Sequence, residues 1–295
     1  MTGSFRSGYV SIIGRPNVGK STLLNAFLGQ KIAIVTEKPQ TTRNRIMGIK
    51  TLDNAQFIFI DTPGIHVPKN LLGETMIRSV KDALQEIDLV IFVTEPGRSA
   101  QRDKDILESL RDSDRPVILL INKIDLIKKL ELLAITDEYR RLFPFSEIIP
   151  VSALKRDGIE RALNTIAEYL KPGPKFYPDE LITDQIERFM AAEIIREKIM
   201  EKTSDEIPYS VAVEVMNWEE RNDGIIAISA NIYVERDGQK GIIIGERGRM
   251  LKSIGTLARL EIERLLDAKV FLQLWVKVKK GWRDDKKILH ELGYG

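Results

Sequence analysis

The chain has 295 residues, of which 43% are apolar and 30% charged, and its net charge is +2. This composition is typical of a folded protein of about two domains and argues against disorder. The chain has no cysteine and only two histidines, His66 and His290, which excludes disulfides, thiolate metal sites and a histidine metal cluster. No apolar run approaches the roughly 20 residues of a membrane span, and the start has no apolar signal core, so we expect a cytoplasmic protein.

Short apolar runs in the first half predict the strands of a parallel sheet. They are Gly8–Ile13, Phe57–Asp61, Leu89–Thr94, Val117–Ile121 and Ile148–Ser152. Helical stretches lie between them, near Lys20–Leu28, Leu71–Leu84, Asp103–Leu110, Glu131–Leu142 and Gly158–Leu170. Strands that are apolar on both faces are covered by helices on both sides. The regular alternation therefore predicts a doubly wound α/β sheet, with functional residues at the carboxyl ends of its strands.

The pattern changes after residues 171–180, a stretch with three prolines and a glycine that is typical of a linker. We place the first domain at residues 1–172, the linker at 173–180 and the second domain at 181–295. The second domain has α+β character. Its predicted elements are a helix Asp184–Met200, strands Ser210–Trp218 and Ile225–Glu235, a helical turn, a helix Arg249–Asp267, a strand Val270–Lys277 and a last helix Arg283–Leu292.

A glycine-rich motif, GRPNVGKS at residues 14–21, matches G-x-x-x-x-G-K-[ST] between a predicted strand and a predicted helix. Glycines let the backbone wrap closely around a polyphosphate, and the dipole of the helix N-terminus attracts it. Lys20 can reach the β- and γ-phosphates, and Ser21 offers its hydroxyl to magnesium. We expect nucleotide contacts from Gly14, Asn17, Val18, Gly19, Lys20, Ser21 and Thr22.

Three further strand ends carry polar motifs. In DTPG, Asp61 can hold magnesium through water and the Gly64 N–H can sense the γ-phosphate. In NKID, Asp125 can accept hydrogen bonds from the N1–H and 2-amino groups of guanine, and adenine lacks this donor pair, so the site should reject it. Ser152 and Ala153, after the next strand, can support the base. The predicted nucleotide contacts at these ends are Asp61, Thr62, Pro63, Gly64, Asn122, Lys123, Asp125, Ser152 and Ala153.

These motifs together resemble the translation-factor-related P-loop GTPases. The segment KPQTTRNRI, residues 38–46, is similar to the Era family, and the resemblance covers essentially the whole chain. It implies hydrolysis of GTP to GDP and phosphate. It also assigns residues 38–45 to the first switch, with Thr42 as a magnesium ligand and Thr41 as the alternative. The catalytic residues it implies are Lys20, Thr42 and Gly64, and the magnesium ligands are Ser21, Thr42 and Asp61.

The residue after DTPG is Ile65, where many signalling GTPases carry a glutamine that orients water. Isoleucine can neither orient water nor accept its proton, so we expect slow intrinsic hydrolysis. Related GTPases with an asparagine in the position of Asn17 use a potassium ion, and the resemblance extends this role to Asn17, with a loop-bracing side chain as the alternative. His66 is interpreted as an exposed switch-loop residue and not as a base.

Charge is unevenly distributed in the second domain. Residues 176–235 carry 5 basic and 14 acidic side chains, whereas residues 236–295 carry 14 basic and 8 acidic ones. A solvated helix face usually mixes both signs. Segregation of this size indicates a surface for a polyanion.

The basic half contains IIIGERGRMLKSI at residues 242–254, whose I-I-G-x-x-G-x-x-L pattern indicates a KH domain of the prokaryotic type II form. The GxxG loop of such domains clamps a single-stranded nucleic-acid backbone. Ile243 and Ile244 are expected to floor a groove for bases, and Glu246 weakens phosphate attraction unless it points outward. Trp282 can stack on a base or pack in the core, whereas Trp218 and Trp275 are expected in the core. The predicted RNA contacts are Ile244, Gly245, Glu246, Arg247, Gly248, Arg249, Lys252, Lys280 and Trp282.

The function predicted from these patterns is a GTP-driven switch that binds RNA. Resemblance to the Era family implies that the RNA is the 3′ end of the small-subunit ribosomal RNA and that the process is assembly of the small ribosomal subunit. It also implies a monomer that uses Mg²⁺. The alternative is a signalling or cell-cycle GTPase whose basic face binds anionic lipid, and the family is described as peripherally membrane-associated. A small-molecule kinase is disfavoured by the NKID motif.

Overall fold

A computed structural model describes residues 4–65, 67–84, 87–97, 100–111 and 114–294. A six-stranded sheet in the order β2-β3-β1-β4-β5-β6 organises the first half of the chain, and all neighbours are parallel except β2 and β3. Its strands are β1 Arg6–Ile13, β2 Ile46–Thr51, β3 Ala55–Asp61, β4 Leu89–Thr94, β5 Val117–Ile121 and β6 Glu147–Pro150. The five predicted parallel strands are confirmed to within a few residues.

The antiparallel edge strand β2 was not predicted. Its sequence, IMGIKT, contains a glycine, which weakens a strand pattern. The structure explains this glycine, because a Cβ on Gly48 would lie 2.7 and 2.9 Å from the side chains of Leu28 and Leu24. The glycine therefore lets the helix Lys20–Leu28, which precedes this strand in the chain, pack closely on the edge strand.

Helices cover both faces of the sheet. They are α1 Lys20–Leu28, α2 Leu71–Ala83, α3 Lys104–Glu108, α4 Lys129–Leu142 and α5 Ile159–Tyr169. Phe59 of β3 stacks on Phe27 of α1, with 4.8 Å between the ring centroids. The next residue, Ile60, joins the opposite cluster with Val80 of α2 and Tyr139 of α4. Alternate residues of one strand thus face different helices, as a doubly wound sheet requires.

The second half forms a three-stranded sheet in the order β7-β8-β9, in which β8 pairs antiparallel with β7 and parallel with β9. Its elements are α6 Glu187–Lys202, α7 Ile207–Ser210, β7 Ala212–Glu220, β8 Ile225–Val234, α8 Asp237–Ile244, α9 Arg249–Leu266, β9 Lys269–Val278 and α10 Lys286–Glu291. The predicted order of elements is confirmed. No helix within the described residues is long and apolar enough to cross a membrane.

One face of this smaller sheet carries the core. Ile228, Ala230 and Ile232 of β8 pack with residues of α6, α8 and α9 in a single buried cluster. Intervening residues point to the opposite face. There, Phe271 and Trp275 of β9 are 44% and 46% exposed, although Trp275 was expected in the core.

The chain divides into two compact units that are not continuous in sequence. The first contains the described residues up to Ala33, Thr42–Val67 and Met76–Asp184. The second contains Ile34–Thr41, Pro68–Thr75 and the residues from Gln185 onward. Residues 173–180 belong to the first unit, where the backbone N–H of Phe176 donates to Gln56 Oε1 over 2.7 Å.

Candidate functional site

The loop between β1 and α1 requires its glycines. Gly14 has φ +150°, and a Cβ there would lie 2.4 Å from the carbonyl oxygen of Val93. Gly19 has φ +94°, and a Cβ would lie 2.3 Å from the side-chain nitrogen of Asn122. Helix α1 begins at the next residue, Lys20, whose buried ammonium donates to the carbonyls of Gly14 and Arg15 over 3.1 and 2.9 Å. A compact loop therefore surrounds one cation at a helix N-terminus, which is a phosphate-binding arrangement.

Three side chains from different parts of the chain bring hydroxyl and carboxylate oxygens together beside this loop. Ser21 Oγ lies 2.7 Å from both Thr42 Oγ1 and Asp61 Oδ2, and Thr42 Oγ1 lies 3.4 Å from Asp61 Oδ2. All three predicted magnesium ligands are thus brought together. Thr41 is directed elsewhere, since its hydroxyl donates to the carbonyl of Lys38. The structure favours Thr42 over Thr41 in this position.

Asp61 is fully buried at the end of β3. Burial raises the pKa of its carboxyl group from 3.8 to about 6, although the nearby Lys20 ammonium and the Ser21 and Thr42 hydroxyls lower it. Its Oδ1 atom is buried without a hydrogen-bond partner among the described residues. A set of hydroxyl and carboxylate oxygens is the kind of ligand set that Mg²⁺ prefers, and a cation would stabilise the buried carboxylate. The residues present therefore fit magnesium.

The segment after Asp61 packs against the phosphate loop. Thr62 Oγ1 donates to the Ile12 carbonyl over 2.9 Å, and Pro63 is buried. A Cβ on Gly64 would lie 2.8 Å from the backbone of Pro16. The N–H of Ile65 donates to the Gly14 carbonyl over 3.2 Å, and its side chain packs against the core of the first unit. His66 lies outside the described residues.

The predicted base-binding residues form one hydrogen-bonded cluster. Asn122 donates to the Val18 carbonyl over 2.9 Å and accepts from the Ala153 N–H over 3.0 Å. Ser152 Oγ donates to Asp125 Oδ1 over 2.5 Å. Asn122 therefore ties the NKID loop both to the phosphate loop and to the segment after β6.

Lys123 also connects the NKID loop to the phosphate loop. It adopts φ +61°, and its ammonium donates to the carbonyl of Asn17 over 2.7 Å and pairs with Glu95. Asn17 has φ +68°. Both residues hold the left-handed conformation that asparagine tolerates better than most residues. This geometry fits a role for Asn17 in shaping the loop.

Sequence reasoning missed a buried support for the phosphate loop. Arg15 Nε lies 2.7 Å from Asp103 Oδ1, and the other carboxylate oxygen accepts from the Tyr139 hydroxyl over 2.6 Å. Burial and the adjacent Asp103 raise the pKa of Tyr139 above its usual range. The three residues are far apart in the chain, and Arg15 occupies a variable position of the glycine-rich motif while Asp103 and Tyr139 belong to no motif, so only the fold reveals the cluster.

The predicted RNA clamp is a tight turn between α8 and α9. Gly245 has φ +71°, and a Cβ would lie 2.6 Å from Cβ of Met250, whereas Gly248, at φ +75°, has open space. Arg247 also has a positive φ, 51°. Glu246 is exposed and pairs with Arg249 over 3.1 Å, so its charge is directed outward. A groove of about 370 Å³ opens beside the turn, lined by Gly248, Leu251, Lys252, Gly255, Thr256, Arg259, Leu272 and Leu274.

Two expectations for this surface are wrong. Trp282 is fully buried, donates from Nε1 to the Ser210 carbonyl over 3.0 Å and stacks on Tyr294, so it cannot stack on a base. Ile243 is also fully buried in the core, and the apolar groove wall consists of leucines of α9 and β9. The partly buried Ile244 and the exposed Lys280 keep accessible surface.

Family models match both halves of the chain. Residues 9–123 match the model described as "50S ribosome-binding GTPase", and residues 206–283 match the model described as "KH domain". The chain is 52% identical over 292 residues to GTPase Era of Ruminiclostridium cellulolyticum, covering 99% of this chain and 98% of that protein. This chain belongs to the GTPase Era family. It is 53% identical over 291 residues to GTPase Era of Geotalea uraniireducens, covering 98% of each protein.

Solved structures of the Era family share the whole fold. Era of Aquifex aeolicus, crystallised as a tyrosine-to-alanine variant bound to GDP·AlF4⁻, is 40% identical with a TM-score of 0.96, covering 99% of this chain and 100% of that one. A structure of Era in complex with MgGDPNP and nucleotides 1506–1542 of 16S ribosomal RNA is 41% identical, also with a TM-score of 0.96, and covers 99% of each chain. Membership of the Era family makes the chain a GTPase built from a P-loop GTPase domain and a KH domain.

Proposed function

We propose that this GTPase binds the 3′ end of small-subunit ribosomal RNA through its KH domain and acts in assembly of the small ribosomal subunit. The observation that carries the proposal is the convergence of Ser21, Thr42 and Asp61 beside a phosphate loop, in a chain that also has a GxxG turn opening on a groove. The Era structure with MgGDPNP and a 16S ribosomal RNA fragment supports the pairing of these two ligands.

Catalysis is assigned to positioning and charge stabilisation, as in other P-loop GTPases. Lys20 holds the β- and γ-phosphates, and the Gly64 N–H donates to the γ-phosphate. Ser21, Thr42 and Asp61 hold Mg²⁺, which when bound neutralises charge on the phosphates. Ile65 packs against the core, and its side chain can neither orient water nor accept its proton, so we expect a slow intrinsic rate.

Guanine selectivity is assigned to Asp125. Its carboxylate accepts from Ser152, which fixes its orientation, and it accepts from the base N1–H and 2-amino groups. Asn122, Lys123 and Ala153 hold the surrounding loops in place. A base without these two donors leaves the remaining acceptor sites of the carboxylate without hydrogen bonds, which costs binding energy.

Potassium dependence is a second part of the proposal. Asn17 lies in the phosphate loop with a left-handed backbone, and a K⁺ ion bound there would add a positive charge beside the phosphates. The GTPase rate in potassium buffer should exceed that in sodium buffer. Equal rates would remove Asn17 as a potassium ligand.

RNA binding during the nucleotide cycle is the test of the main proposal. A labelled RNA from the 3′ end of the small-subunit ribosomal RNA should bind the protein loaded with a GTP analogue, and the variant Gly245→Asp with Gly248→Asp should lose RNA binding but keep GTP affinity. A folded double variant that binds the RNA normally would overturn the KH assignment. Binding of wild type to anionic vesicles but not to RNA would support the membrane alternative instead.

A further inference from the structure

One face of strand β9 presents a row of alternating exposed residues, Lys269, Phe271, Gln273, Trp275 and Lys277. Their neighbours Val270 and Val276 point to the opposite face and are buried in the core of the second unit. Single exposed apolar residues are common on protein surfaces. Two aromatic residues on the same row, each almost half exposed, indicate a surface that binds a partner.

Charge around this row favours a polyanion. The row ends in a lysine on each side and contains no acid, and the Arg221 guanidinium lies 5.1 Å from the centroid of the Phe271 ring. By contrast, the same face of the outer strand β7 carries Glu214 and Glu219. A nucleic-acid strand would be attracted to the β9 side of the sheet and repelled from the β7 side, so its path is confined to the β9 row.

Spacing along the row suits stacked bases. Phe271 and Trp275 are four residues apart in one strand, a distance of about 13 Å. A stacked nucleic-acid strand advances about 3.4 Å per nucleotide, so roughly four stacked nucleotides, or fewer extended ones, span the two rings. Aromatic side chains bind bases by stacking without regard to their identity.

The row adjoins the groove beside the GxxG turn. Leu272 and Leu274 line that groove, and they alternate in sequence with the exposed residues of the row. Strand β9 is an edge of the sheet, so a chain that leaves the groove reaches the row by crossing one strand. We infer that single-stranded RNA leaving the KH groove continues over the edge of β9 and stacks on Phe271 and Trp275. This inference rests on the proposed RNA-binding function.

Two lengths of RNA separate this surface from the groove. KH loops clamp four nucleotides, so a 4-nucleotide RNA occupies the groove alone, and a 12-nucleotide RNA that contains it reaches the row. Replacing both aromatics, Phe271→Ala with Trp275→Ala, should lower affinity for the longer RNA at least tenfold and leave affinity for the shorter one within about twofold. The control is Met216→Ala, which removes an apolar side chain of 53% exposure from the acidic strand and should change neither affinity.

Tryptophan fluorescence gives a readout that does not depend on the double variant. In wild type, the longer RNA should quench fluorescence more than the shorter RNA, and Trp275→Phe should abolish this difference while it keeps affinity. Equal affinity of the double variant and wild type for the longer RNA, or equal quenching by both RNAs, would overturn the stacking row alone. Failure of wild type to bind either RNA would overturn the proposed function and this inference with it.

Discussion

At the scale of single side chains, the proposed recognition of guanine depends on Asp125. Asp125→Asn places an amide beside the guanine N1–H and replaces an ionised acceptor with a neutral one, so we expect affinity for GTP to fall about 100-fold. Xanthine has a carbonyl where guanine has the 2-amino group, so affinity for XTP should rise. Fluorescence titration with both nucleotides measures the change, and unchanged GTP affinity without gain for XTP would contradict the base assignment.

Asp61 makes the magnesium-free protein sensitive to pH. Its pKa is raised from 3.8 to about 6 in the folded state, so its contribution to stability is fully present below pH 3.8 and is lost as pH rises through about 6. Asp61→Asn removes the buried charge. Without magnesium and nucleotide, it should raise the free energy of unfolding at pH 7.5 by at most about 3 kcal/mol and much less at pH 4.5.

Thermal unfolding with a chelator at both pH values tests this expectation. The same variant should weaken binding of the magnesium–nucleotide complex, because it removes a predicted ligand. A stability change of equal size at pH 4.5 and pH 7.5 would show that burial of the charge is not its cause.

At this scale, sequence motifs predicted most residues of the candidate nucleotide site, because these motifs directly follow the ends of predicted strands. Ser21 and Asp61 follow the ends of β1 and β3, which are neighbours in the sheet, whereas Thr42 was assigned only through the resemblance to the Era family. The Arg15–Asp103–Tyr139 support was not predictable, because its members share no spacing. Sequence neighbours do not fix the environment of a tryptophan: Trp275, expected in the core, is exposed, and Trp282, for which base stacking and core packing were both open, is buried.

At the scale of an element, substitutions in the GxxG turn can distinguish a loss of RNA binding from a loss of stability. Both glycines have a positive φ, but a Cβ at Gly245 would meet Met250, whereas Gly248 faces open space. Gly248→Asp alone should therefore abolish RNA binding with a smaller drop in melting temperature than Gly245→Asp causes. Gly224→Asp is the matched control, because Gly224 has φ +78° and open space but lies outside the clamp.

Measurement of RNA affinity and melting temperature for the three variants decides between these effects. Gly224→Asp should pay the same backbone strain of about 1–3 kcal/mol and keep RNA affinity. If it weakened RNA binding as much as Gly248→Asp, the loss would come from strain or net charge and not from the clamp.

Secondary structure was predictable where the apolar pattern was strong. The five parallel strands and the long helices follow from continuous apolar runs and from helical periodicity. Strand β2 lacked this signal, because its glycine serves the packing of α1 and not the strand itself. The third helix is also shorter than predicted: it begins at Lys104, after a 3₁₀ turn at Ala100–Asp103, and it ends at Glu108.

A buried arginine contacts the segment Ile34–Thr41 within the second unit, and this segment includes part of the predicted first switch. Arg196 has no exposed side-chain surface, pairs with Glu193 and donates to the Thr41 carbonyl. Removing one partner of a buried ion pair leaves the other charge uncompensated, so Arg196→Met should destabilise the protein by about 3–5 kcal/mol. Arg141→Ala, which breaks an exposed pair with Asp137, should cost under 1 kcal/mol.

Chemical unfolding of both variants and of Arg196→Met combined with Glu193→Gln measures these costs. The double change removes the uncompensated charge and should recover part of the loss. Equal stability of the Arg196 and Arg141 variants would mean that the buried pair contributes nothing to the fold.

At the scale of the whole molecule, the property hardest to predict was which segments of the chain belong to which compact unit. Proline and glycine content placed the boundaries of a contiguous second domain near residue 180, and this division stays a prediction. Nothing in the sequence of residues 34–41 indicates that Val35 donates to Glu197 or that Lys38 donates to the carbonyls of Met200 and Thr203. Such contacts join residues more than 160 positions apart, beyond the range of any local pattern.

The contact between Thr41 and Arg196 also sets an order of events during translation. These residues are separated by 155 positions. At about 5–20 residues per second, a ribosome needs roughly 8–30 s to synthesise the intervening chain. The segment 34–41 therefore leaves the ribosome long before α6 exists, and it must stay hydrated and accessible to proteases until that helix is made.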